Sequence, residues 1–391
     1  MEIAFWFSLF MAFYTYVGYG ILLFIIIKIK RAVKGRKVPV DLPGEQLPTC
    51  ALVIAAYNEE TIIREKIADT LALSYPEGKL KIYFVTDGST DNTAAIISEY
   101  PQINLLHKDG RSGKIVAMHR AMEFVDAEVA VFTDANTMLN REALLKICRH
   151  YADPTVGAIA GEKRVLVKET DDASAAGEGF YWKYESTLKK WDSELYSVVG
   201  AAGELFSVRR DLYKPVPLDT ILDDFMISMY IAQDGYRIIY EPEAYASESS
   251  SANVTEELKR KVRIAAGGIQ SIIRLAPLLN IFKYPILSFQ YISHRVLRWT
   301  VTPFFMIAAL ILNVVISIQG AGLIYDLLLF GQVMFYLLAL LGMIMEKRQI
   351  RVKALFVPYY FCVMNYAVLA GIIRYFKGKQ SAAWERSARK V

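Results

Sequence analysis

Four stretches of the chain carry no charged side chain: residues 3–27, 299–325, 327–345 and 354–373. Each approaches or exceeds the roughly 20 apolar residues a helix needs to cross about 30 Å of hydrocarbon. Between the first and the second, over roughly 48–270, short β-rich apolar runs alternate with segments of helical periodicity. CALVIAA (50–56), KIYFVTD (81–87), NLLHK (104–108) and AEVAVFTDA (127–135) are predicted strands. YNEETIIREKIADTLAL predicts a turn and a helix after the first strand. AAIISEY predicts a helix after GSTDNT, and residues 113–124 predict a third. Strands alternating with helices build a mostly parallel, Rossmann-like α/β sheet, and ligands gather at the carboxyl ends of its strands. The pattern describes a membrane protein with one large globular domain.

Charge refines this outline. Lys28, Lys30, Arg31, Lys34, Arg36 and Lys37 follow the first apolar run, whereas a signal peptide carries its charge before it. The run is therefore expected as an anchor, with its basic flank and the globular domain in the cytoplasm. The loop EKRQIRVK (346–353) suits a cytoplasmic turn. The tail after Ile373 is basic too, whereas four simple crossings would carry it outside, so the crossing of the last segment stays open. Residues 269–299 mix apolar side chains with scattered bases and two prolines, the pattern of interfacial helices. The expected divisions are an anchor over 1–28, a basic linker over 29–47, the α/β domain over 48–268, interfacial helices over 269–298, transmembrane helices over 299–375 and a basic tail over 376–391. The net charge of +5 lies largely in juxtamembrane bases, which points to anionic lipid and away from nucleic acid. Three scattered cysteines suit a reducing compartment and offer neither a disulfide framework nor a zinc site.

Candidate chemistry sits at the strand ends: Tyr57, Asn58 and Glu59 after the first, Asp87 and Ser89 after the second, Asp134 and Asn136 after the fourth. Each cluster alone also reads as a turn, and Asp91 suits a helix cap. Lys114, in GRSGK, suits a solvated helix start. Neither GxxxxGK[ST] nor GxGxxG is present. Three polar strand ends with a Gly-Lys between the second and third nevertheless match the needs of a nucleoside diphosphate: a polar floor, a cation and a metal-holding carboxylate. Farther on, VVGAAGELFSVRR (198–210) joins small residues to Glu204, and Asp223 and Asp224 open an amphipathic helix, where acids also serve the dipole.

In this order YNEE, TDGSTDNT, TDAN, GAAGELFSVRR and LDDF resemble the motifs of membrane-embedded family 2 glycosyltransferases, the group of hyaluronan, poly-N-acetylglucosamine and cellulose synthases. The resemblance covers most of the chain and implies a GT-A fold. It implies that Ala56, Tyr57 and Glu59 line the base and ribose, that Asp87 binds uracil with Ser89 beside it, and that Lys114 lies near the base or the phosphates. Asp134 is the first acid of the family's DxD motif, with Asn136 in place of the second, on Mg²⁺ or Mn²⁺. Gly203 and Glu204 would face acceptor and donor sugar. Asp224, beside Asp223, would be the general base. Arg260 and Arg263 would face the diphosphate.

The implied partners are a UDP-sugar, a glycan or lipid-linked acceptor, membrane lipids and an accessory export subunit. The implied activity is inverting transfer to a growing β-linked cell-surface polysaccharide, from a multi-pass protein of the plasma membrane. Where processive relatives carry Gln-x-x-Arg-Trp, this chain has Arg260, Arg263 and Ile264. Loss of that tryptophan keeps single-sugar transfer to a polyprenyl phosphate or other membrane lipid open as an alternative, with an inactive membrane scaffold as a third reading. Trp182 and Trp191 are the substitutes to consider as an aromatic platform.

Overall fold

The computed structural model describes residues 1–36, 39–166, 174–249, 254–348, 350 and 352–378. The chain divides into two units. One combines Ile29–Leu166 with Lys189–Ser250; the other combines Met1–Lys28, Val167–Leu188 and Ser251–Gln380.

The first unit is built on eight strands: β1 (Cys50–Ala56), β2 (Leu80–Asp87), β3 (Asn104–Lys108), β4 (Val129–Asp134), β5 (Met138–Leu139), β6 (Val156–Leu166), β7 (Leu205–Arg209) and β8 (Arg237–Ser249). They form one sheet in the order β3-β2-β1-β4-β7-β6-β8-β5. Every residue of β1 is buried, because β1 lies between parallel neighbours and is covered on both faces. Its register is decisive for the site. Ala56 pairs with Thr86 of β2, and Ala55 with Asp134 of β4, so the three strands end level and their polar residues share one edge.

β7 then enters antiparallel to β4, with Thr133 opposite Leu205, which brings the chain just before β7 to the same edge. β6 and β8 pair in parallel beyond it. The four predicted strands are all present; the fourth begins at Val129, two residues later than its apolar run. The first helix is the shorter Ile63–Leu71, since residues 57–62 are spent on the turn out of β1. Leu52, Ile54, Phe84, Val131, Leu144 and Ile147 belong to the core that holds helices to sheet.

Two of the juxtamembrane bases have partners within this unit. Lys30 Nζ donates to the carbonyls of Glu194 and Leu195 (2.5 and 2.9 Å), and Arg31 forks onto the Glu194 carboxylate (2.7 Å on each arm). Cations at the end of the helix Ser174–Leu195 complement its dipole.

Among the described residues three helices are long and apolar enough to cross a membrane: Glu2–Lys34, Leu323–Lys347 and Ala354–Phe376. The charge-free stretch 299–325 is not one straight helix. Thr302–Ile318 follows Pro285–Trp299 at a 60° bend, and Pro303, with no N–H to continue the preceding ladder, opens the second arm. The helix Val254–Arg274 runs through the position between residues 268 and 269, where composition changes from globular to interfacial. Close approach fixes this helix: a Cβ on Gly371 would meet that of Ala265 at 2.5 Å, so Ala354–Phe376 packs backbone to backbone on it. Glu185 is buried here among His294, Arg295 and Arg298, at 2.9–3.2 Å.

Candidate active site

The site grows from the level ends of β1, β2 and β4. After β1 the chain turns through Asn58, held at φ +53°. Its side chain bridges to the β2 turn, accepting from the Thr90 N–H (2.8 Å), while its own N–H donates to Ser89 Oγ (3.2 Å). Glu59 is buried and its N–H donates to Thr93 Oγ1 (2.8 Å). Asp91 accepts from the Thr93 N–H (3.0 Å), but the N-cap of the helix Thr93–Ser98 is Asn92, so Asp91 stands one residue before the cap position expected of it.

These turns wall a cleft of about 310 Å³ lined by Ala56, Tyr57, Asp87, Arg111, Gly113 and Lys114, among others; Glu59 and Ser89 stand outside its lining. Asp87 Oδ2 accepts from the N–H groups of Ser112 and Gly113 (2.7 and 2.5 Å), and its buried Oδ1 has no hydrogen-bond partner among the described residues. Leaving such an acceptor unpaired costs roughly 1–3 kcal/mol, which a ligand N–H would recover. The Arg111 guanidinium lies 4.2 Å from the centre of the Tyr57 ring, giving the cleft a flat, cationic wall.

At the end of β4, Lys114 Nζ donates to Asp134 Oδ1 (2.6 Å). From the other side comes the loop before β7. Thr133 Oγ1 holds the Glu204 carbonyl (2.7 Å), and a Cβ on Gly203 would lie 3.2 Å from Asp224 Oδ2 and 3.5 Å from Lys114 Nζ. Glycine here lets the loop approach closely where two carboxylates and an ammonium converge. Gly200, at φ +81°, packs against the Phe225 ring, and the Ala201 N–H donates to Ser228 Oγ (3.0 Å), so this loop is fastened to the first turns of the helix Asp223–Gln233.

That helix has Leu222 at its N-cap and no side-chain cap bond, so Asp223 and Asp224 sit within its first turn and not as caps. Burial drives the Asp224 carboxyl up to about 7; the Asp223 charge adds to this, and Lys114 opposes it. Burial likewise raises Asp134 above the usual carboxylate range, against the pull of Lys114. Burial works against charge on Lys114 as well. Asp134, Asp223 and Asp224 outweigh it and hold the ammonium above its ordinary value, so it stays protonated.

Of the residues expected from sequence, Ala56, Tyr57, Asp87 and Lys114 share the cleft, and Lys114 joins Asp134, Gly203 and Asp224 in one cluster. Glu204 turns its carboxylate to Lys163 Nζ (2.5 Å), which also contacts Glu248. Arg260 and Arg263 lie on Val254–Arg274 in the second unit, where Arg260 forks onto Glu257 (3.0 Å on each arm) and Lys261 stands 5.6 Å from the Trp182 ring. Sequence reasoning passed over Arg111, Lys163, Glu248 and Ser228. Arg111 lies in the GRSGK turn it singled out, whereas Lys163, Glu248 and Ser228 are polar side chains within otherwise apolar or alternating runs. Asn136 is half-buried in the turn after β4. Among the described residues no three His, Cys, Asp or Glu side chains form a metal site of their own. Asp134 and Asn136 carry the oxygens that could hold a hard cation here.

Residues 51–216 match the family model described as glycosyl transferase family 2. A poly-beta-1,6-N-acetyl-D-glucosamine synthase of Staphylococcus epidermidis is 26% identical over 278 residues, 68% of this chain and 65% of that protein. The synthase of the same name from Staphylococcus aureus (strain COL) is 26% identical over 244 residues, 60% of this chain and 58% of its own. The chain thus spans just under two thirds of the length of the curated relatives it matches. Among solved structures, a mannosyltransferase from Pyrobaculum calidifontis in complex with GDP-Man and Mn²⁺ superposes with a TM-score of 0.70 at 21% identity, covering 96% of this chain and 100% of its own. That likeness is one of fold. With its level strand ends and the reversed strand β7 beside β4, the α/β unit has the GT-A fold, and the similarity to glycosyl transferase family 2 runs over residues 51–216, most of them in that unit.

Proposed function

We propose that the protein is an inverting, metal-dependent glycosyltransferase that moves a sugar from a UDP-sugar to a growing β-linked cell-surface polysaccharide. The observation that carries this reading is Asp224, a buried carboxyl pushed up to about 7 where Gly203 approaches it and Lys114 closely. A base poised near neutrality can take a hydroxyl proton there. In the cleft, Asp87 Oδ1 would accept the N–H of uracil while Tyr57 and Arg111 flank the base. Lys114 would set a cation near the phosphates, with its Asp134 partner keeping it oriented.

Asp134, with the neutral oxygen of Asn136, would hold Mg²⁺ or Mn²⁺ against the diphosphate and so neutralise the leaving group. The acceptor oxygen bonds to the anomeric carbon as its proton passes to Asp224. The bond from that carbon to the diphosphate breaks, and its electron pair leaves on UDP. One displacement through an oxocarbenium-like state inverts the anomeric configuration. Asp223 contributes by repulsion, helping to keep Asp224 basic.

The three apolar helices, and the bases after the first, support an integral plasma-membrane protein whose α/β unit faces the cytoplasm. A second reading, transfer of a single sugar to polyprenyl phosphate or another membrane lipid, is favoured by Ile264, which stands where processive relatives have tryptophan. Purified protein given a panel of radiolabelled UDP-sugars separates the two. Long β-linked product is expected; one added sugar per acceptor would establish the second reading, and no turnover of any donor would remove both.

The acid limb of the rate profile is a second expected result. Asp224 must be ionised to act, so kcat/KM is expected to rise about tenfold per pH unit up to about pH 7 and to level off above. A profile still flat down to pH 5 would take the base role from Asp224.

A further inference from the structure

The helix Ile63–Leu71 turns Ile63, Lys66, Ile67 and Thr70 into the core. Lys66 is thus a charge on an apolar face, at 0% exposure. Burying an ammonium is among the costliest uses of a core position. Its Nζ donates to the carbonyl of Thr137 (2.5 Å) and lies 3.8 Å from Asp69 Oδ2, which accepts the Leu139 N–H (3.1 Å).

Thr137 in turn is bound to the site. Its N–H and its hydroxyl both donate to the Asp134 carbonyl (3.3 and 2.9 Å), and its hydroxyl meets Thr133 Oγ1 (2.9 Å), the atom that holds the Glu204 carbonyl. A continuous run of hydrogen bonds therefore leads from Lys66 through Thr137 to the main chain of Asp134. Burial lowers the Lys66 ammonium to about 8, with Asp69 and Asp134 pulling it back up, so it remains cationic at neutral pH. Methionine, of similar length, would fill the same space without a buried charge.

We propose that Lys66 is a positioning residue of the donor site: with Asp69 it clamps the segment 134–139 from beneath and so presents the Asp134 carboxylate and the Asn136 amide to the nucleotide diphosphate. This rests on reading that segment as the diphosphate end of the donor site. The clamp acts on the diphosphate end, because the base cleft is lined by the ends of β1 and β2 and by the segment after β3, with no residue of 134–139 among its lining. Uridine and UDP should therefore respond differently to its loss.

The experiment is calorimetric titration of the full-length protein with UDP plus Mn²⁺ and, separately, with uridine, together with its melting temperature. Lys66→Met is expected to bind UDP–Mn²⁺ about tenfold more weakly, the scale for groups that orient a metal ligand, and uridine as wild type does. In turnover KM for the donor should rise by more than kcat falls. Equal UDP–Mn²⁺ affinity in folded Lys66→Met overturns the role of Lys66, and equal weakening toward uridine overturns it as well, since that marks a general lesion. Wild-type protein that binds neither ligand overturns the donor-site reading and this proposal with it. Where Lys66→Met fails to fold, Asp69→Ala releases the other end of the same segment: selective loss of UDP–Mn²⁺ binding supports the clamp, and unchanged binding refutes it.

Discussion

Asp224→Asn is expected to lower the transfer rate by about 10³-fold, within the range that positioned general bases contribute, while UDP affinity stays within a few-fold of wild type. Asparagine keeps the shape and the hydrogen bond from the Phe225 N–H but cannot accept the proton of an acceptor hydroxyl. The stability of the variant should move the other way. The folded-state pKa of Asp224 lies near 7, above its ordinary 3.8. Between those values the unfolded chain loses this proton first, so folding weakens by about 1.4 kcal/mol per pH unit as pH rises, and the cost is complete above pH 7. The amide does not ionise and carries no such cost. Thermal unfolding should therefore show the inactive variant more stable than wild type at pH 8 and level with it near pH 4. Retained transfer in Asp224→Asn would falsify the assignment of the base; an inactive variant with a lower melting temperature at pH 8 would show that Asp224 supports the fold instead.

Asp134→Ala should abolish the gain in UDP affinity that Mn²⁺ confers, a loss of about 100-fold or more, since a ligand should matter at least as much as the groups that orient it. The fold should survive this change. Lys114 keeps Asp223 and Asp224 as neighbours, and the cluster loses one of several crowded acids. Calorimetric titration with and without Mn²⁺ checks this, and unchanged metal enhancement would remove Asp134 from the metal. Uridine binding, which is proposed to rest on Asp87 and the Tyr57–Arg111 wall, should be unaffected in the same protein.

Much of this site can be read along the chain because of how parallel strands are buried. A strand covered on both faces must be apolar throughout, so CALVIAA, KIYFVTD and AVFTD stand out as runs, and the first polar residue after each marks a strand end. Tyr57, Asp87 and Asp134 are found in that way. Asp224 comes from an ordered set of motifs, each weak by itself. The charge-free segments likewise announce membrane helices, and Glu2–Lys34, Leu323–Lys347 and Ala354–Phe376 are long enough to be such helices.

The partners are a different matter. Composition shows that 299–325 is free of charge but not the 60° bend between Pro285–Trp299 and Thr302–Ile318, which is a matter of backbone geometry. Lys66 finds its partner Thr137 71 residues away, and Lys163 meets Glu204 across 41. By itself the sequence determined which segments are strands, which helices are apolar enough for lipid and which acids end a strand, since these follow from local preference and burial pattern. Only the tertiary structure decided which charges meet. Strand register levels β1, β2 and β4, and the reversal of β7 carries Gly203 to Asp224. Burial, with the Asp223 charge beside it, is what pushes the Asp224 carboxyl up to about 7.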